Sequence, residues 1–150
     1  MVEIELLHWK SRKLPMIPNV PLQKEKLHSR KQTKHFLLKI PVRHVEITSE
    51  DDIHCSGIYY PNGNSHDWVI ALHGYRGDHL GATSLAQHYH DHNYQVLTPD
   101  LRACGDTDGN YLGMGWLDRK DILSWIDWII AQDSDAKSLF TVFPWVLPQP

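Results

Sequence analysis

Three short stretches hold the residue types that do chemistry. "ALHGYRGD" sets His73 and Gly74 directly after the apolar run Trp68, Val69, Ile70, Ala71, Leu72. "DLRACGDTDG" carries Asp100, Arg102, Gly105, Thr107 and Gly109 in the pattern D-x-R-x-x-G-x-[ST]-x-G. "HYHDH" places His88 and His92 on one face of an expected helix, a spacing that suits a metal pair. No third ligand is placed beside them, so a solvated helix face is expected. Asp106 and Asp108 in "GDTDGN" resemble the start of a calcium loop but lack the acidic ligand at its end. His73 reads as a feature of the strand end rather than a base. Cys55 and Cys104 are far apart and show no CxxC spacing, so reduced thiols are expected. The expectation is no metal and no cofactor.

The elements that must position these residues follow from periodicity. Residues 10–41 are rich in Lys, Arg and Pro without a sustained period, which reads as an extended or poorly ordered basic arm over 1–41. "PVRHVEIT" alternates so that Val45 and Ile47 share a strand face, and "SEDD" then turns the chain into a second strand, "IHCSGIYYP". Residues 42–60 therefore predict a hairpin at an antiparallel edge. The run Trp68–Leu72 has the unbroken apolarity of a parallel strand covered on both faces. Residues 82–92 predict a helix with Leu85, Ala86 and Tyr89 inward, ended by Asn93 in the left-handed region. "YQVLTPD" is another buried strand. "DRKDILSWIDWIIAQ" predicts a helix with Ile122, Trp125, Ile126, Ile129 and Ile130 inward. The next element due is a strand.

Composition excludes several function classes. A net charge of −3 over 150 residues gives no field for nucleic acid or anionic lipid. No apolar run approaches the roughly 18 residues of a membrane span, and "MVEIELLHWK" carries acids where a signal peptide is basic. The expectation is a soluble, cytoplasmic chain with a solvated basic arm.

Taken together, "VIALHGYRGD", the helix after it, "YQVLTPDLRACGDTDG" and "GMGWLDRKDILSWIDWI" resemble the first half of an α/β-hydrolase. They are similar to bacterial serine hydrolases of the cell-surface-hydrolase or serine-aminopeptidase-like esterase type, over residues 42–137. Cys104 stands where the family often has His, and Thr107 where it often has Ser. The resemblance implies an α/β fold in which an antiparallel hairpin is followed by parallel strands with flanking helices. It also implies that the backbone N–H of Tyr75, with His73 and Gly74 shaping the turn, is half of an oxyanion hole. A preorganised donor of that kind is worth roughly 3–4 kcal/mol in a transition state. The family then places a strand ending in G-x-S-x-G, with an acid and a His further on. Some relatives carry an amino-terminal membrane anchor.

No G-x-S-x-G occurs in this sequence; it closes instead on "KSLFTVFPWVLPQP". Reading each codon's third base with the next codon's first two, from Ser138 onward, permits another peptide. Ser138 with Leu139 permits Phe, and Phe143 with Pro144 permits Ser, while Trp145 with Val146 forces Gly. The shifted peptide is "FVHGVSMGAATT", a buried strand, a nucleophile elbow and a small-residue helix start. Residues 138–150 thus read as an aberrant, frameshifted tail, and the sheet as truncated before the nucleophile elbow.

Two functional expectations follow. The first is an inactive amino-terminal fragment of a serine hydrolase acting on ester, thioester or peptide-like acyl bonds, with no catalytic residue of its own. The intact parent's partner would be a small-molecule acyl substrate. The second is a non-catalytic binding or interaction module that keeps the front of the fold. In either case the missing strand would leave the edge of Trp68–Gly74 unpaired, inviting self-association. The helix over 118–132 would then leave Trp125, Ile126, Ile129 and Ile130 partly in water.

Overall fold

A computed structural model describes residues 30–74, 76–113 and 116–142. Strands β1 (Arg43–Thr48) and β2 (His54–Tyr60) form the expected antiparallel hairpin, in register from Arg43↔Tyr59 to Thr48↔His54. On β1 the half-buried Val45 and Ile47 alternate with exposed residues, as a strand with one covered face requires. β3 (Asp67–Ala71), β4 (Gln95–Pro99) and β5 (Ser138–Val142) complete a five-stranded sheet of order β1-β2-β4-β3-β5. β4 runs antiparallel to β2 and parallel to β3, and β5 is parallel to β3. Gly57 is needed where β2 meets β4, because a Cβ there would lie 3.0 Å from the Pro99 Cα.

The apolar run of β3 divides by the two-residue period of a strand. Val69 and Ala71 enter one core with Phe36, Tyr60, Ala86 and Val96. Trp68, Ile70 and Leu72 enter the other with Leu97, Trp125 and Ile129. Helices α1 (Arg30–Lys39) and α2 (Thr83–Asp91) supply the first core, and α3 (Asp118–Gln132) the second. Asn93 ends the turn after α2 at φ 69°, in the left-handed region as expected.

Three expectations are corrected. The basic arm contains a helix, α1, because good helix formers such as Lys, Gln and Leu surround a buried Phe36. The Phe36 ring stacks on Tyr60 at 5.8 Å and meets His90 edge-on at 5.4 Å. Residues 1–29 lie outside the described residues. Second, the β3 edge is not bare: β5 pairs with it from Asp67↔Ser138 to Ala71↔Val142. "SLFTV" has the Phe, Thr and Val that favour strands, and the Lys137 N–H donates to the His66 carbonyl to set the register (2.9 Å). The rest of the expected tail, 143–150, lies outside the described residues. Third, α3 buries Trp125 and Ile129 fully and Ile122 and Ile126 partly, whereas Ile130 is 53% exposed. The buried row is Asp121, Trp125 and Ile129, at intervals of one turn.

α3 is held at its far end by a polar knot. The Asp133 carboxylate accepts from Trp68 Nε1 (2.8 Å) and pairs with His66 Nδ1 (2.8 Å). Burial opposes its charge, yet these hydrogen bonds hold its carboxyl below the ordinary range. Trp68 also stacks on Tyr59 at 5.2 Å, with Trp128 edge-on to both.

Candidate functional site

β3 and β4 are parallel, so their carboxyl ends open on the same side of the sheet, where α/β folds hold their ligands. His73 follows β3 and is 2% exposed. Its Nε2 lies 2.9 Å from the Leu101 backbone N–H, which can only donate, so Nε2 must accept. The proton therefore sits on Nδ1, which donates to the Gly74 carbonyl at 2.8 Å. With both nitrogens engaged, His73 ties the turn after β3 to the loop after β4 and has no lone pair for base work. Gly77 donates its N–H back to the Gly74 carbonyl (3.0 Å), and Arg76 takes φ 56° within that turn. No heavy atom stands within 4 Å of where a Cβ on Gly74 would be, so the backbone is open to close approach there. Tyr75, expected to supply the N–H, lies outside the described residues.

The loop after β4 is built by the D-x-R-x-x-G-x-[ST]-x-G residues. Asp100 is buried, accepting the backbone N–H groups of His79 and of Asp106 (3.0 Å for the latter). Gly105 has φ 51°, and a side chain there would collide with the Asp100 carboxylate. The Thr107 hydroxyl donates to the Asp100 carbonyl (2.9 Å) and accepts the Ser56 N–H (2.9 Å), fastening the loop to β2. Thr therefore supplies the hydroxyl that Ser would. Arg102, 3% exposed, makes two-pronged contacts with both Asp121 (2.6 and 3.0 Å) and Asp51 (2.7 and 2.9 Å). The hydrogen bonds from Arg102 and then Ser49 hold the Asp51 carboxyl well below the usual range, and Asp121 and Asp51 push Arg102 up. Burial pushes Cys55 up to about 12 and also raises Cys104, so neither is a ready thiolate. Both are free thiols, as expected.

His88 on α2 and His92, just past its end, do sit side by side, rings 4.5 Å apart, but His92 Nδ1 is taken up by the His88 carbonyl at 2.7 Å. The sequence reading did not single out His79. Its Nδ1 lies 2.9 Å from Asp100 Oδ2, and no spacing rule connects residues on two different loops.

No protein-family model and no curated protein matches the chain. Solved structures do. An esterase of Pyrococcus furiosus, Pf2001, is 28% identical with a TM-score of 0.65, the match covering 72% of this chain and 43% of the esterase. GrgF, an alpha/beta hydrolase from a Penicillium species, is 16% identical with a TM-score of 0.58, covering 69% of this chain and 38% of that one. An a/b serine hydrolase without lid from Xanthomonas campestris is 14% identical with a TM-score of 0.57, covering 68% and 50%. The chain thus carries part of an α/β-hydrolase fold, and spans less than half the length of the esterase that it matches. Among the described residues no helix is long and apolar enough to cross a membrane.

Proposed function

We propose that these 150 residues are the amino-terminal part of an α/β-fold serine hydrolase acting on ester, thioester or peptide-like acyl bonds, and are inactive by themselves. The reading rests on one juxtaposition. β3, which leads into Leu72–Gly74, pairs with the parallel strand β5, and the fold family puts the strand before its nucleophile beside β3, yet "SLFTVFPWV" has no G-x-S-x-G. The His73 latch and the Arg102 ion pairs, which hold the turn after β3 and the loop after β4, support this reading. The attacking Ser, the His that takes its proton and the acid that orients that His belong to sequence beyond Lys137 in the shifted frame. Bacterial origin of the parent and a cell-surface or aminopeptidase-like subtype belong to the same proposal.

Resequencing the gene around codon 138 tests it. An open shifted frame encoding "HGVSMG", followed by an Asp and a His, is the expected result. The 150-residue chain should hydrolyse p-nitrophenyl esters no faster than a carrier-protein control and should not label with a fluorophosphonate. Stoichiometric labelling of a serine would overturn the proposal.

A further inference from the structure

Where the turn after β3 meets the loop after β4, His79, Asp100 and Asp106 each offer one donor atom, and the three atoms lie within 4.8 Å of one another. From this geometry we infer a binding site for a divalent first-row transition ion such as Zn2+, independent of the hydrolase reading. Donors bound at about 2.1 Å sit roughly 3.0–3.4 Å apart around a six- or four-coordinate ion. His79 Nδ1 and Asp100 Oδ2, at 2.9 Å, lie just inside that spacing and need part only slightly. Asp106 is the donor that must close in, and its side chain is 68% exposed and so has room to turn.

The two inner donors are fixed before any ion arrives. Asp100 is oriented by the backbone N–H groups of His79 and Asp106, so its carboxylate cannot swing away. Asp78 caps the short 3-10 turn His79–Ala82 by accepting from the Leu80 and Gly81 N–H groups, which holds the His79 backbone in place. The buried guanidinium of Arg102, on the same loop as Asp106, is committed to Asp51 and Asp121. One imidazole with two carboxylates is a mixed nitrogen and oxygen set that favours Zn2+ or Mn2+ over Ca2+, which takes oxygen alone. To ligate through Nδ1 the neutral imidazole of His79 carries its single N–H on Nε2, so the ion takes the place of the hydrogen between Nδ1 and Asp100 with no net loss of a proton from the ring. The ion would clamp the turn that carries Gly74 to the loop that carries Gly105.

Isothermal titration of the 150-residue chain with Zn2+, and the visible d–d absorption with Co2+, test this. One ion per chain is expected, with a rise in melting temperature, since an ion that binds the folded state stabilises it. Asp106→Asn, at an exposed position, should fold as before by circular dichroism and bind at least about tenfold more weakly. His79→Gln should lose the Co2+ nitrogen-ligand band. The double variant His88→Gln, His92→Gln should bind as the parent does. Absence of binding, undiminished affinity in Asp106→Asn, or loss of binding in the His88/His92 variant would each overturn the site, the last two as an adventitious ion only.

Discussion

Arg102 does the most for the loop after β4, since one guanidinium joins that loop, the turn between β1 and β2, and α3. Removing it leaves Asp121 buried without a counter-charge. Arg102→Ala should therefore lose about 3–5 kcal/mol in urea denaturation, the cost of breaking a buried pair from one side. Asp51→Asn, whose partner keeps Asp121, should lose distinctly less. The thiols give a second reading at this scale. With Cys55 buried and pushed up to about 12, and Cys104 buried and raised, neither should react with a disulfide reagent at about pH 8 until urea opens the chain. Prompt reaction of one thiol in the native chain would show that its loop opens locally.

The helix α3 separates what periodicity can and cannot say. Its limits, Asp118–Gln132, follow from the sequence, and so does the inward placing of Trp125 and Ile129. Ile130 fits the same stripe on paper but is half in solvent, because the Asp121–Arg102 ion pair rotates the buried row toward Asp121, Trp125 and Ile129. Trp125→Ala should thus cost about 3–5 kcal/mol, and Ile130→Ala under about 1 kcal/mol, in matched denaturation curves. Equal losses would place the helix a fraction of a turn away. α1 was illegible for a related reason: what holds it is chiefly the Phe36 ring against Tyr60 and His90, with Leu37 beside it, which no period reveals. β5 was legible as a due element, but the pairing of "SLFTV" with β3 depends on a register set by Lys137 and His66, far apart in sequence. At the site, the glycines and Asp100 of the D-x-R motif were readable as a pattern, whereas His79 joins them only through the sheet order.

For the whole molecule, acid stability is set by carboxylates held low. Asp51 and Asp133 are both depressed in the folded chain, so near pH 4 the unfolded chain binds more protons than the folded one. Their contribution is fully present above about pH 5, beyond the unfolded carboxylate value of about 3.9, and is lost as pH falls through it toward the folded values. Melting temperature should hold between about pH 7 and pH 5 and fall below; Asp133→Asn should lower the plateau and flatten that fall. Association is the other whole-molecule property. The outermost strand of the described sheet on the β3 side is β5, and an open strand edge pairs with its like. Size-exclusion chromatography should show apparent mass rising with concentration; a monomer throughout would remove that expectation. The strand order also governs the sequence of events at the ribosome. β3 emerges after β2 but is not its neighbour; β4, made later, slides between them, and β5 is made later still. Until residue 99 has been synthesised, β3 with its apolar run has no partner on either side, and its second partner waits for residue 142. Nascent chains stalled before β4 should therefore be held by general chaperones far longer than chains stalled after it, because such non-local pairing cannot begin early.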